Sequence, residues 1–194
     1  SSVFTDVDNE DSEISKEVQA NTNTGLVSAS ISGNTLTLDY QADQNGSATI
    51  TIRGTSNVVS VDDVFTVTVT AVNDEPSFTK GSNITVLEDS GSSSTSNWAT
   101  SLSTGPSDES GQTLTFSVSN DNNSLFSSQP EIGSSGDLTF TTALDQNGST
   151  TVTVFLMDDG GTVFGGDNIS SQTFIITLSP VPDPPVLGIV VSFI

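Results

Sequence analysis

Cysteine and histidine are both absent from the 194 residues. Without cysteine the chain can form neither a disulfide framework nor a thiolate metal site, so its core or bound ions must hold it together. Without histidine or cysteine, a serine nucleophile lacks its usual base. A pair of carboxylates that hydrolyses glycosides would need a cleft with aromatic walls, which 6% aromatic residues do not supply. The sequence therefore predicts no catalytic site.

Positive charge is scarce as well. The chain has three Lys and Arg and 24 Asp and Glu, which gives a formal net charge of −21. Nucleic acid is excluded as a partner because its phosphates require cations, and an anionic membrane surface would repel the chain. Such clustered oxygens suit a hard cation such as calcium. Alternatively, the charge simply keeps a secreted protein soluble, and composition alone does not separate these two explanations.

Long hydrophobic runs are also missing. The most apolar stretch, residues 186–194, is far too short to cross a bilayer as a helix, so no membrane insertion is expected. No signal peptide is visible either. We therefore expect an excerpt or a mature product of a longer exported precursor, with an extracellular or cell-surface location.

What the sequence does contain is a strict alternation of apolar residues with Thr and Ser. The clearest segments lie at residues 36–40, 50–52, 65–69, 114–118, 138–140, 152–156 and 174–178. This period of two is typical of antiparallel strands with one face in a core and one in water. Disorder is the competing interpretation of a chain that is only 32% hydrophobic, and the periodicity argues against it. The sequence predicts an all-β protein.

An internal repeat divides the chain. LTLDYQADQNGSATITI, residues 36–52, returns as LTFTTALDQNGSTTVTV at residues 138–154, and the segment around Phe65 returns around Phe174. A period of about 100 residues with some seven short strands is typical of immunoglobulin-like Greek-key sandwiches. We predict an incomplete repeat at 1–73 that lacks its opening strand, a complete repeat at 74–182, and a linker with a further strand at 183–194.

Several short motifs resemble those of cadherin repeats and of their tandem bacterial relatives in giant surface adhesins. They are DVDNEDSEI at 6–14, VNDEPSF at 72–78, ITVLEDS at 84–90, GDLTFTTALDQNG at 136–148 and FLMDDGG at 155–161. Together they span essentially the whole chain. The resemblance implies two tandem cadherin-like β-sandwiches.

The resemblance also implies Ca²⁺ at the joints between repeats, ligated by oxygens from two repeat ends and the linker. The six to eight oxygens that calcium requires fit this arrangement. The residues it assigns to a central joint are Asp43, Asn45, Asn73, Asp74, Asp108, Asp158 and Asp159. A lower joint would use Glu88, Asp145, Asn147 and Asp183, and the first copy carries Asp6 and Asp8 at its own upper end.

Departures from the family pattern lower the expected number of ions. Pro106 stands where the first copy has Asp6, which removes one ligand of an expected pair. Ser56 and Asn57 stand near the positions that Asp158 and Asp159 take in the second copy. We expect one or two ions at the central joint.

Each motif also has a purely structural interpretation. Asp-Gln-Asn-Gly is a good turn sequence, because Asn and Gly accept positive φ and Asp can bond its own backbone. The same holds for Asp158-Asp159-Gly160-Gly161 as a loop. For Asn73 and Asp74 the sequence favours the metal-ligand interpretation. The end of a strand needs only Pro and Gly, and it does not require two side chains that carry oxygen.

Two functions remain in competition. The first is a calcium-stiffened structural repeat that acts as a spacer in an extracellular adhesin or surface filament, with neighbouring repeats of the same chain as partners. The second is an adhesive module that binds polysaccharide or identical subunits. Residues 186–194 could also be donated as a strand into the next molecule. Alternatively, they begin a further repeat of a longer array.

Overall fold

We describe the chain from a computed structural model that covers residues 4–8, 10–185 and 188. It forms two compact units, Ser1–Ala71 and Val72–Ile194. The sequence predicted the boundary between the two repeats after residue 73, and the structure divides the chain after Ala71. The strand predicted within residues 186–194 lies, apart from Gly188, outside the described residues. None of the helical turns in the described part of the chain is long or apolar enough to cross a bilayer.

The all-β prediction is confirmed. Regular structure in the described residues consists of strands and four short 3-10 turns, at Asp11–Glu13, Ser107–Glu109, Asn123–Leu125 and Val163–Gly165. Thr, Val, Ile and Phe fill the strands because branched and aromatic side chains pack well on a pleated surface. Their alternation places one row in each core and the other in solvent.

Unit 1 has five strands in the described residues. They are β1 (Ser15–Asn21), β2 (Val27–Ser32), β3 (Thr35–Tyr40), β4 (Gly46–Ser56) and β5 (Val59–Val69). The strands β1, β4 and β5 form one antiparallel sheet, and β2 and β3 form a hairpin. The buried core residues are Phe4, Ile14, Leu26, Val27, Ala48, Ile50 and Ile52.

Unit 2 continues the numbering with nine strands in the described residues. They are β6 (Ser77–Thr79), β7 (Ile84–Leu87), β8 (Ser92–Thr95), β9 (Thr100–Ser103), β10 (Thr115–Asn120), β11 (Phe126–Ile132), β12 (Leu138–Thr142), β13 (Gly148–Met157) and β14 (Ile169–Ser179). One sheet has the order β10-β13-β14-β7, a second has the order β11-β12-β8, and β6 pairs with β9. The strand β7 runs parallel to β14, and all other pairings are antiparallel.

The core of unit 2 is built around its one tryptophan. The ring of Trp98 lies 4.3 Å from that of Phe174, and its indole nitrogen donates a 3.0 Å hydrogen bond to the Ser82 carbonyl oxygen. Leu138 and Val152 from the two sheets are completely buried in the same cluster. A buried Trp thus gains both packing and a satisfied polar atom.

The two units differ in completeness. The five strands of unit 1 correspond to β10–β14, and residues 4–8 and 10–14, which precede β1, form no strand. Within the described residues unit 1 has no counterpart of β6–β9, which agrees with the predicted lack of an opening strand. Consequently Phe65 is only partly buried, whereas Phe174, at the same repeat position, is 2% exposed. Leu36 and Leu138 differ in the same way.

Candidate metal centres

One end of unit 2 gathers four carboxylates and one amide, which we call the lower cluster: Glu88, Asp89, Asp145, Asn147 and Asp183. The fold explains why they meet. Because β7 runs parallel to β14 and β13 runs antiparallel to it, the ends of β7 and β14 lie beside the beginning of β13. Glu88 and Asp89 directly follow β7, Asp145 and Asn147 directly precede β13, and Asp183 follows β14.

Three of these carboxylates converge. Asp89, Asp145 and Asp183 each place one oxygen within 4.8 Å of the others. The backbone holds two of them in place, because the Asp145 amide donates a 2.8 Å hydrogen bond to Asp89 Oδ1. Asp89 and Asp145 both adopt positive φ, of 59° and 55°. These turn conformations direct exposed oxygens toward one point, as a divalent cation requires.

Glu88 is the buried member of the lower cluster. It is 3% exposed, and its Oε1 accepts a 2.7 Å hydrogen bond from the Val181 amide. Its Oε2 accepts one of 3.0 Å from Asn147 Nδ2. Neither partner carries a positive charge. The Glu88 carboxylate therefore ties the segment after β14 to the turn before β13.

The electrostatics of the lower cluster disfavour ionisation of Asp183. The pKa of Asp183 is raised above 3.8, first by burial and then by the charges of Asp145, Asp89 and Glu88. Desolvation and like charges both penalise the ionised form. A bound divalent cation would remove this penalty, so the donor set and its charge fit calcium.

The opposite end of unit 2 holds a second group of oxygens, the upper cluster: Asn73, Glu109, Gln112, Asp158 and Asp159. Asn73 lies at its centre, because its Nδ2 donates to Asp158 Oδ1 at 3.0 Å and its Oδ1 accepts from Gln112 Nε2 at 2.7 Å. Glu109 Oε1 accepts a 2.8 Å hydrogen bond from the Asp74 amide. The segment that opens unit 2 is thus fixed to the 3-10 turn at Ser107–Glu109 and to the end of β13.

The upper cluster contains buried oxygens without partners. Glu109 and Asp158 are each 7% exposed, and Glu109 Oε2 and Asp158 Oδ2 accept no hydrogen bond. Gln112 Oε1 is also buried without a donor. Burying a carboxylate oxygen unpaired costs several kcal/mol or shifts its ionisation, which is unusual unless a cation completes the site. Each of these three oxygens therefore has an acceptor position that a hard cation could take.

Two glycines beside the upper cluster make room for its side chains because they have no Cβ. A Cβ at Gly160 would lie 1.7 Å from Asn73 Oδ1, and one at Gly105 would lie 2.0 Å from Glu109 Oε2. Gly105 also has a φ of 134°, which L side chains rarely adopt. Any larger residue at either position would displace a side chain of the upper cluster.

The structure brings together some of the predicted ligands. All four residues of the predicted lower joint, Glu88, Asp145, Asn147 and Asp183, lie in the lower cluster. Of the five predicted central-joint residues in unit 2, Asn73, Asp158 and Asp159 lie in the upper cluster, whereas Asp74 and Asp108 are exposed beside it. Asp159 Oδ1 accepts a 2.8 Å hydrogen bond from the Thr113 amide. Metal ligation by any of them stays a prediction.

The predicted ligands of unit 1 occupy turns. Asp43 and Asn45 are exposed, and Asp43 has a φ of 56°, close to that of Asp145. Asp6 Oδ1 accepts a 2.9 Å hydrogen bond from the backbone amide of Asp8. The turn interpretation of Asp-Gln-Asn-Gly thus describes both copies, and it does not conflict with a ligand role for Asp145.

Three cluster residues were not predicted: Asp89, Glu109 and Gln112. Asp89 directly follows Glu88 within ITVLEDS at 84–90, one of the motifs that resemble those of cadherin repeats, and this was an available signal. Glu109 is adjacent to Asp108, but the offset from Asp6 and Asp8 pointed to 108. Gln112 carries no charge and lies outside every motif, so nothing in the sequence marks it.

Comparison with known proteins places the fold. No protein-family model matches the sequence, and no curated protein matches it. Among solved structures, EC1-2 of human protocadherin-24 aligns with a TM-score of 0.51 and 16% identity, over 92% of this chain and 85% of that one. The chain has a cadherin-like fold.

Two further solved structures align with lower TM-scores. EC1-2 of human mucin-like protocadherin gives a TM-score of 0.47 at 17% identity, over 87% of this chain and 85% of that one. Domains 4 and 5 of the S-layer protein SbsC give 0.36 at 14% identity, over 91% and 78%. The TM-score of 0.51 with protocadherin-24 shows the cadherin-like fold alone, and the predicted resemblance is confirmed to that extent.

Proposed function

We propose that this cadherin-like chain is a calcium-stiffened structural repeat of an extracellular adhesin or surface filament, in which it acts as a spacer. It has no catalytic role in this proposal. The bacterial source that the sequence motifs suggest stays a prediction. The observation that carries the proposal is the pair of oxygen clusters, one at each end of unit 2.

The lower cluster supports calcium through its charge. Four carboxylates lie together there, and the pKa of Asp183 is raised first by desolvation and then by the charges of the other three. Calcium prefers six to eight oxygens at 2.3–2.6 Å, so these carboxylates would supply part of the shell and water or another segment the remainder. The ion would bind most strongly when all four carboxylates are ionised.

The upper cluster supports calcium through its unpartnered oxygens. Glu109 and Asp158 are fixed in position by one oxygen each and leave the other free. A cation bound there would connect the segment at Asn73, the 3-10 turn and the end of β13. Since each of these elements belongs to unit 2, an ion would stiffen the entry to this unit.

The test is thermal unfolding of the full chain in calcium, in magnesium and in excess chelator. Trp98 is the single Trp and reports on unit 2, whereas Tyr40 is the single Tyr and reports on unit 1. Ligand at 100 times its Kd stabilises the folded state by about 2.7 kcal/mol. We therefore expect calcium to raise the unfolding temperature seen by Trp98 by several degrees, and magnesium to do so less.

A pair of variants makes the test specific to the lower cluster. Asp145→Asn combined with Asp183→Asn should remove the part of the calcium-dependent rise that the lower cluster contributes and leave the part that comes from the upper cluster. The double variant Asp39→Asn, Asp63→Asn removes the same charge from exposed positions on β3 and β5 of unit 1, and it should leave the rise intact. A melting curve of the native chain that is identical in calcium and in chelator would refute the proposal.

A further inference from the structure

One loop of unit 2 packs against the upper cluster. Its two ends are joined by a 3.2 Å hydrogen bond from the Asp158 amide to the Asn168 carbonyl oxygen. We call residues 159–167, which lie between these ends, the strap. Four of its nine residues are glycine, and it contains no strand. A surface loop of this length whose ends lie so close together is a compact Ω-loop.

Asn73 fastens the strap to the remainder of unit 2. Its backbone carbonyl accepts a 3.0 Å hydrogen bond from the Asp167 amide, and its Nδ2 donates one of 2.6 Å to the Asp167 carbonyl oxygen. Both arms of the strap meet Asn73 at a glycine. A Cβ at Gly160 would lie 1.7 Å from Asn73 Oδ1, and one at Gly166 would lie 3.0 Å from Asn73 Cβ. The strap can close around Asn73 because these two positions carry no side chain.

The tip of the strap has few anchors. The Thr113 amide holds one arm through a 2.8 Å hydrogen bond to Asp159 Oδ1. In the part of the chain that the structure describes, no residue from Gly161 to Gly165 forms a hydrogen bond with a residue outside the strap. Phe164 is 76% exposed and has a φ of 60°, a left-handed conformation that costs free energy for an aromatic residue. Segments with so few buried contacts open locally at low cost.

The strap covers oxygens that a cation would have to reach. Gln112 Oε1 and Asp158 Oδ2 each expose less than 1 Å² and have no hydrogen-bond partner. Gly160 packs directly on both side chains, since a Cβ there would lie 2.5 Å from Gln112 Nε2 and its amide donates a 3.0 Å hydrogen bond to Asp158 Oδ1. A hydrated ion cannot reach oxygens that are buried to this degree. A segment must therefore move before the upper cluster can take up a cation.

Unit 1 has no counterpart of the strap. Its strands β4 and β5 are joined by a tight hairpin, in which Asn57 and Val58 have φ of 46° and 65°. Ser56 and Asn57 also stand near the positions that Asp158 and Asp159 take in unit 2. The strap and the carboxylate that it covers therefore occur together in unit 2, and this links the strap to the upper cluster.

We propose that the strap is a gate for the upper cluster. A cation enters after the strap leaves Asn73 and Gln112, and the strap then closes over it. This inference rests on the cation binding proposed above and adds a statement about rates, because uptake and release cannot be faster than opening of the strap. By linkage, a cation that binds beneath the closed strap also lowers the fraction of open strap. The exposed carboxylates of the lower cluster have no such restriction.

Two substitutions shift the strap in opposite directions without removing an atom of the upper cluster. Gly165 has a φ of 89°, and no atom beyond its chain neighbours lies within 4 Å of an added Cβ, so Gly165→Ala strains the closed strap without a clash. Phe164→Asn relieves the strain at a φ of 60°. The matched control is Gly33→Ala in the β2–β3 hairpin, because Gly33 has a φ of 58° and equally open surroundings.

The experiment measures opening of the strap and release of calcium, both on the full chain. Opening is measured in chelator by hydrogen exchange of the Asp167 amide, which the closed strap holds on Asn73. Release is measured by mixing the calcium-loaded chain with excess fluorescent chelator. All variants are made in the Asp145→Asn, Asp183→Asn background, which weakens cation binding at the lower cluster.

Gly165→Ala should speed both exchange and release about tenfold, Phe164→Asn should slow both, and Gly33→Ala should change neither. If Gly165→Ala leaves calcium release unchanged, or if Gly33→Ala speeds it equally, the strap is not a gate. If the background chain binds no calcium while the native chain does, the upper cluster takes no cation and the gate alone is refuted. If neither chain binds calcium, the proposed function is refuted as well.

Discussion

Asn73 donates a hydrogen bond of 3.0 Å to the carboxylate of Asp158, which lies 85 positions further along the chain. The bond joins the segment that opens unit 2 to the end of β13. It uses Oδ1 of Asp158, while Oδ2 stays buried without a donor. Asp158 is therefore held in a fixed orientation with one oxygen left to bind a cation.

Asp158→Asn tests the upper cluster directly. The substitution keeps the shape of the side chain but removes its charge and replaces one carboxylate oxygen with an amide nitrogen, which cannot ligate a cation. We expect the affinity of the full chain for calcium at this site to fall at least tenfold, which corresponds to about 1.4 kcal/mol. Isothermal titration calorimetry measures the change.

The matched control for Asp158 is Asp39→Asn, an equal loss of charge at an exposed position on β3 of unit 1. Its binding isotherm should match that of the native chain. If both variants bind calcium with native affinity, Asp158 is not a ligand, and the unpartnered oxygens of the upper cluster require another explanation.

A carboxyl titration by NMR should separate Asp183 from Asp121. The pKa of Asp183 is raised above 3.8 by burial and by the neighbouring charges of Asp145, Asp89 and Glu88. The pKa of Asp121 is lowered, chiefly by the Thr150 hydroxyl and the Thr151 amide, which donate at 2.6 and 2.9 Å. In calcium-free buffer the two groups should therefore titrate on opposite sides of 3.8.

The two shifts have opposite consequences for stability. Asp183 binds its proton more tightly in the folded state, so stability falls as pH rises from 3.8 through its folded pKa. Asp121 releases its proton more readily when folded, so its contribution is lost as pH falls from 3.8 through its folded pKa. Asp145→Asn should lower the pKa of Asp183, and an unchanged value would show that the carboxylates do not interact.

Most of the fold could be predicted because its signals are local. Alternation of Thr with Ile or Val marks a strand wherever it occurs, and the repeat of residues 36–52 at 138–154 aligns β3 and β4 with β12 and β13. The extent of the missing part of unit 1 could not be read in this way. The counterparts of β7 and β8 would pair with strands distant in sequence, so only the folded topology shows that none is present in the described residues.

The clusters were predictable only where a motif reached them. Glu88 and Asp145 lie in segments that resemble cadherin motifs, and the lower cluster contains both. Glu109 and Gln112 enter the upper cluster through a 3-10 turn whose position depends on packing. Since carboxylates are frequent throughout this chain, charge alone could not distinguish the buried Glu109 from the exposed Asp108.

Phe174→Ala and Phe65→Ala compare the two cores at one repeat position. Phe174 is 2% exposed and packs against Trp98, so its truncation should destabilise unit 2 by about 3–5 kcal/mol. Phe65 is only partly buried, so the loss in unit 1 should be smaller, about half that amount. Urea unfolding followed by Trp98 and Tyr40 fluorescence measures the two units separately. Equal losses would contradict the open core of unit 1.

Phe164→Asn tests whether the loop that connects Met157 to Ile169 is strained. Phe164 has a φ of 60°, and Asn tolerates the left-handed region far better than an aromatic residue does. Because its ring is 76% exposed, little packing is lost, and the variant should stabilise unit 2 by about 0.5–1 kcal/mol.

Val163→Asn is the control, since Val163 is similarly exposed but does not have positive φ. It should bring no gain in urea unfolding followed by Trp98. If Phe164→Asn leaves the free energy of unfolding unchanged, the left-handed backbone at Phe164 carries no strain.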